Sequence, residues 1–224
     1  MRGPLPSGSW RPSLVRLGLL ALVLLPLSLA LDPWAWRVLR WPGIYDGDAG
    51  RLLRVVGFLG SWWLAALLVL QAGRPTAVRR RGAALLALAP TLAALAAELL
   101  KLLLRRERPG LTDALYHFRP WQEQPWSAAG LGLPSSHAAV AFAGTTLLGL
   151  LLPRWRWTLA LLALGCAWTR VAAGAHFLSD AVAGALLGVA VGSGLHGCWG
   201  VRAAAAASAP AVPAADAPPS APRG

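Results

Sequence analysis

The sequence predicts an all-α, polytopic membrane protein, a bundle of six transmembrane helices. Three observations predict it. Of the 224 residues, 56% are hydrophobic and only 13% charged, with a mean hydropathy of +0.54; a soluble domain of this length needs more polar surface. Several stretches approach or exceed the roughly 18 apolar residues that mark a bilayer-spanning helix. The arginines behind the net charge of +12 cluster at the ends of those stretches, as topology signals and headgroup contacts do. That placement points to a lipid bilayer as partner and to no nucleic acid.

Taken in order, residues 1–13 form a short polar head with Arg2 and Arg11. The first apolar segment, 14–31, is interrupted by Pro26. Its Ser28-Leu29-Ala30 resembles a cleavage site, but the segment is long for a signal peptide and five spans follow, so it reads as an uncleaved helix. A loop over 32–54 carries Trp34, Trp36 and Trp41 as an interfacial belt. The second span is 55–72, followed by the basic cluster Arg74, Arg79, Arg80 and Arg81. The third, 83–104, contains Pro90, Glu98 and Lys101. Residues 105–133 are the longest internal loop, with Trp121 and Trp126 at the interface. The remaining spans are 136–152, 157–173 and 177–198, the first two joined by the turn Pro153-Arg154-Trp155-Arg156. The chain from Arg202 is Ala/Pro-rich without apolar periodicity. The organisation is thus a cytoplasmic head (1–13), a membrane domain (14–200) and a disordered tail (201–224). Cys166 and Cys198 lie in or beside apolar segments and read as free thiols.

Six spans put both termini on one side. The positive-inside rule makes that side the cytoplasm, because the head, the Arg74–Arg81 loop, the Arg154/Arg156 turn and Arg202 share it. The loops near Lys101–Arg108, His137 and Arg170–His176 then face the other side. The first loop is the discordant feature: Arg37, Arg40, Arg51 and Arg54 are basic too, only partly offset by Asp32, Asp46 and Asp48.

Three segments within 101–180 carry candidate chemistry. Lys101 is the only lysine among 21 Lys+Arg, and it lies inside an apolar run, where a charge lines a polar cavity. Arg108, two helical turns on and followed by Pro109, projects from the same helix face. A point-charge lysine and a forked arginine together suit a phosphate. Arg105 and Arg106 read as headgroup contacts. Pro134-Ser135-Ser136-His137 opens an apolar run, so Ser135 and Ser136 offer a helix N-terminus that receives anions, with His137 in its first turn. Arg170 ends one span. His176 and Asp180, one turn apart, begin the next; the carboxylate can accept the imidazole N–H and leave the other ring nitrogen as a nucleophile. His117, His196 and Glu98 receive no role.

The order K-x6-R-P, P-S-x-H, R-x5-H-x3-D over about residues 83–198 resembles the signature of the type 2 phosphatidic acid phosphatase family, which extends to soluble haloperoxidases. The resemblance implies that Lys101, Arg108 and Arg170 hold phosphate oxygens together with Ser135 and Ser136. It implies that His176 forms a phosphohistidine oriented by Asp180, and that His137 protonates the leaving oxygen. Water completes the reaction, with no metal and no cofactor. Two positions depart from the common pattern, Ser136 for glycine and Thr169 for serine. Serine would strain a positive-φ backbone.

The expected protein is an integral membrane phosphatase of the bacterial inner membrane, acting from the extracytoplasmic face on a lipid phosphate or polyprenyl diphosphate. Two other readings stay open: a phosphotransferase using the same phosphohistidine, and a non-catalytic lipid-phosphate binding or transport protein.

Overall fold

The computed structural model describes residues 14–74, 76–110 and 115–208. The head, 1–13, and the chain beyond 208 lie outside the described residues. Those described fold into seven α-helices: α1 (Leu14–Val38), α2 (Asp48–Val55), α3 (Leu59–Gln71), α4 (Ala77–Leu104), α5 (Ser136–Leu151), α6 (Arg156–Ala172) and α7 (Leu178–Ser208). A 3-10 turn, Pro153–Trp155, joins α5 to α6. Among the described residues the only β-type pairings are two isolated bridges, Arg106 with Phe118 and Glu107 with Leu131, which fold the long loop onto itself.

Among the described residues three helices are long and apolar enough to cross a membrane, or four if α2 and α3 count as one bent span. Six is therefore more than length and composition support. α5 has 16 residues, about 24 Å at the helical rise, against about 30 Å of hydrocarbon. α6 has 17. Motif residues and arginines occupy the ends of both helices and shorten their apolar runs.

Three elements differ from expectation. Pro26 does not interrupt α1, which continues through Pro33 to Val38 and takes Trp34 and Trp36 out of the loop. Each proline removes one ladder bond, but Asp32, 1% exposed, ties the last turns to α7: its carboxylate accepts from the Ser179 N–H at 2.8 Å. The second span is broken instead, with α2 and α3 meeting at 68°. The Trp62 indole takes the freed Val56 carbonyl at 2.8 Å. At the tail, the helix runs to Ser208, because the alanines after Arg202 are strong helix formers.

Small residues build the interior. Ala89, Ala93 and Ala97 of α4 face Ala139, Ala143 and Leu147 of α5, while many leucines, such as Leu19, Leu22, Leu67, Leu99 and Leu103, point outward. This inside-small, outside-large pattern suits helices packing in lipid. The closest approach is α5 on α7. A Cβ at Gly184 would strike the Ser135 carbonyl, one at Gly188 the Ala139 carbonyl, and one at Gly192 the Ala143 carbonyl. The glycines at every fourth position let α7 lie directly on α5, and the contact brings the N-termini of the two helices together: the Ser135 N–H donates to the Asp180 carbonyl at 2.9 Å. Both cysteines are free.

Candidate active site

The site begins where α4 ends. Arg105 adopts the left-handed conformation, φ 55°, and its N–H caps the helix on the Lys101 carbonyl at 2.8 Å. Arg108 therefore leaves the helix, and the shared face expected for Lys101 and Arg108 is not formed. Arg108 stands in the loop before Pro109, where proline disfavours helical geometry, and its backbone N–H bonds to Gly130.

Lys101 is 4% exposed. Its ammonium donates to Glu98 Oε1 at 2.7 Å and to the Ser136 hydroxyl, which in turn donates to the same Glu98 oxygen. Glu98, given no role from sequence, is thus the partner of the lone lysine. Ser136 starts α5 without a positive φ, so the feared strain is absent, and its side chain joins the first motif to the second. Ser135 is fully buried, and its oxygen caps α5 by accepting from the Ala138 N–H. Both hydroxyls are engaged within the protein. The backbone N–H groups of the first turn, at Ser136 and His137, are what the helix end offers an anion.

His176 lies just before α7 and is 3% exposed. Its Nδ1 is 3.1 Å from the Gly132 carbonyl and 3.5 Å from Asp180 Oδ2. A carbonyl only accepts, so Nδ1 carries the hydrogen and Nε2 keeps its lone pair. Burial pushes the imidazole pKa below its ordinary value, with the charges of Arg170 and Arg108 acting the same way and Asp180 opposing them. Asp180 is the third residue of α7. It reaches back to the Phe177 N–H at 2.9 Å, the return half of a capping box.

Arg106 holds Asp180 from the other side. Expected at the headgroups, Arg106 and Arg105 are each 2% exposed. Arg106 pairs with Asp180 Oδ1 and donates to the Ser179 hydroxyl at 2.7 Å. It lies against both the Tyr116 and Phe177 rings, 4.9 and 5.3 Å from their centroids, and the rings meet each other edge to face. Tyr116 donates to Asp32 at 2.8 Å; burial and that carboxylate push its pKa up to about 12. Asp32 also takes the Ser179 hydroxyl, so α1 reaches the site. Arg105 instead gathers the loop carbonyls of Arg119, Pro120 and Glu123. Both arginines stay inside because they find partners there, loop carbonyls for Arg105 and Ser179 with Asp180 for Arg106, although Arg106 Nε is buried without one; a buried charge needs such partners.

Arg170, 6% exposed, donates from Nη1 to the Tyr45 hydroxyl at 2.9 Å, and its Nε is buried without a partner. Tyr45 donates to the Thr169 carbonyl at 3.1 Å and lies 3.4 Å from the Thr169 hydroxyl. Thr169, the other departure from the common pattern, thus helps seat Arg170. His137 has Arg170, Arg54, His176 and Lys101 as electrostatic neighbours. Arg108 has Arg170, Glu98 and Asp180. The structure therefore gathers Lys101, Arg108, His137, Arg170, His176 and Asp180 around one locus. It adds Glu98, Arg106, Asp32 and Tyr45, which sequence reasoning missed. The signals present were the i, i+3 spacing of Glu98 and Lys101 and an aspartate inside an apolar helix.

Gly132 makes the arrangement sensitive to one methyl group. A Cβ there would lie 2.8 Å from Asp180 Oδ2 and 3.3 Å from the Glu107 carbonyl. Gly132→Ala is expected to displace the carbonyl that holds His176 and to lower turnover about tenfold to a hundredfold, since an ångström of misplacement costs that much. Near-wild-type turnover in this variant would show that the loop yields freely.

A cluster of three cations, a helix N-terminus and an imidazole with a free nitrogen can bind a phosphoryl group and attack it. One family comparison matches: the model of the PAP2 superfamily covers residues 82–203. Comparisons with curated proteins and with solved structures returned no match.

Proposed function

The chain belongs to the PAP2 superfamily, a membership that supports a phosphoester hydrolase in general, and from it we propose an integral membrane phosphatase that hydrolyses a lipid phosphate or diphosphate through a phosphohistidine on His176. The observation that carries the reading is the His176 ring. Nδ1–H is committed to Gly132, which leaves Nε2 as the nucleophile, and Arg108 and Arg170 are its cationic neighbours.

In this reading Lys101, Arg108, Arg170 and the first N–H groups of α5 hold the non-bridging oxygens. Phosphoryl transfer asks mainly for such positioning and charge stabilisation. Nε2 bonds to phosphorus as the P–O bond to the leaving group breaks, and His137 gives that oxygen its proton. Asp180, 3.5 Å from Nδ1, stabilises the cationic ring. Water then attacks phosphorus and gives its proton to His137. The P–N bond breaks and inorganic phosphate leaves. The positive-inside distribution supports an extracytoplasmic site with both termini cytoplasmic, and pairing α2 with α3 allows six spans with α5 and α6 as short ones.

The test is phosphate release by the purified protein from phosphatidic acid, phosphatidylglycerophosphate and polyprenyl diphosphate in mixed micelles, with Lys101→Gln beside wild type. Wild type is expected to release phosphate from at least one. Lys101→Gln is expected to lose about a hundredfold in kcat/KM, the worth of a buried charge-assisted contact. No release from any of the three sinks the proposal.

A further inference from the structure

Beside His137 lies a cavity of about 280 Å³ lined by Tyr45, Arg51, Arg54, Val55, Phe58 and His137. All of these except His137 precede the region matched by the family. The cavity is built by the break between α2 and α3. Gly57, at the break, comes so close to α5 that a Cβ would lie 2.8 Å from the His137 carbonyl and 2.6 Å from Cys166 Sγ. The elbow is therefore packed directly on the candidate proton donor.

Its two arginines differ. Arg51 is engaged, donating to the Tyr45 carbonyl at 2.7 Å and facing Asp48 at 3.7 Å. Arg54 lies over the Tyr45 ring, 5.0 Å from its centroid, and no carboxylate pairs with it among the described residues. Tyr45 carries Arg170 on its hydroxyl, so the ring under Arg54 is fixed to a phosphate-site cation. Val55 and Phe58 line it too and are about half exposed, 49% and 61%. The cavity thus sets arginines and an apolar pair side by side around His137.

Of the other basic residues in the first loop, Arg37 is bonded to the Pro33 carbonyl and Arg40 lies over Trp36, both at the end of α1. Arg54 instead has His137 as an electrostatic neighbour.

We propose that the α2–α3 elbow is a leaving-group subsite, in which Arg54 binds a second phosphate carried by the leaving group while Val55 and Phe58 take the start of its lipid tail. The inference rests on the phosphatase reading above. There, His137 protonates the oxygen between the transferred phosphorus and the leaving group, so whatever lines the cavity at His137 faces the departing side. A cation there is wasted on a neutral diacylglycerol. It matches a leaving group that keeps its own phosphate: the lipid monophosphate released from a polyprenyl diphosphate, or the phosphodiester released from phosphatidylglycerophosphate. The bond made is Nε2–P, the bond broken is P–O, and the second phosphate departs with the His137 proton.

The test compares kcat/KM of full-length wild type, Arg54→Gln and Arg54→Lys on three substrates: phosphatidic acid, polyprenyl diphosphate and phosphatidylglycerophosphate. The ratio of a phosphate-bearing substrate to phosphatidic acid is expected to fall about tenfold to a hundredfold in Arg54→Gln, the worth of one charge-assisted hydrogen bond. Arg54→Lys should restore part of it. A fall in one arm only identifies which second phosphate the subsite reads. Arg54 is exposed, so its loss leaves no buried group stranded, and an unchanged melting temperature checks this. Active wild type with ratios unchanged in both arms overturns the subsite alone. Wild type inactive on all three overturns the phosphatase reading and the subsite with it.

Discussion

His176→Ala should release phosphate at least about a thousandfold more slowly than wild type, the scale on which enzymes lose rate when a covalent nucleophile is deleted. No other imidazole can substitute: His137 belongs to α5, and the Gly132 carbonyl that orients the nucleophile is bonded to the His176 ring. The deleted side chain is buried, so the variant keeps an imidazole-sized space beside Arg108 and Arg170. Added imidazole should enter it and recover part of the turnover, which a merely unfolded protein would not permit. Rapid base quenching of wild type during turnover should trap phosphate on the protein in a base-stable, acid-labile form, and none should be trapped on the variant. Turnover within tenfold of wild type would remove His176 from the chemistry, whatever else the site does.

Asp180→Asn is the second large effect, and it should appear in stability as well as in rate. Asp180 is completely buried and pairs with Arg106, itself 2% exposed. Removing one partner of such a pair leaves an uncompensated charge and costs about 3–5 kcal/mol, read as a lower melting temperature in detergent. Turnover should fall on the order of a hundredfold to ten-thousandfold, as when the orienting carboxylate of a His–Asp pair is neutralised.

The pH profile separates this role from general damage. Burial holds the His176 pKa below its ordinary value of 6.5, and Asp180 opposes that shift. The neutral ring is the nucleophile, so the acid limb of kcat/KM should lie below pH 6.5 in wild type. Without the carboxylate the limb should move lower still. Stability follows the same sign. The unfolded chain takes up a proton near 6.5 while the folded ring resists it, so the contribution is full above that pH and is lost as the pH falls below it. An acid limb that moves upward in Asp180→Asn would contradict the placement of Asp180 beside His176.

The chain's order of motifs pointed to Lys101, His137, Arg170, His176 and Asp180 as candidates, which the fold brings near one another, because each is an ionisable or capping residue at the edge of an apolar run. Such residues are rare there and have a chemical reason to be present. The same logic failed for the three arginines after Leu104. Arg105, Arg106 and Arg108 are chemically identical and almost adjacent, yet one gathers loop carbonyls, one pairs with Asp180 and one stands exposed in the loop before Pro109. Helical periodicity assigned Arg108 to the face of Lys101. A left-handed cap at Arg105 ended the helix first.

Sequence by itself determined that the chain is helical and apolar, where most helices lie, and which three short segments belong together. Those properties follow from composition, period and local spacing. Tertiary structure alone decided which charges are buried with partners, that Ser136 joins Glu98 in seating Lys101, that Asp32 ties the first helix to Ser179 beside Asp180, and that the α2–α3 elbow rests on His137. Such contacts join Ser136 to Lys101, 35 positions apart, and Asp32 to Ser179, 147 apart. Their free energy depends on desolvation and on the geometry of a partner that no local pattern can specify.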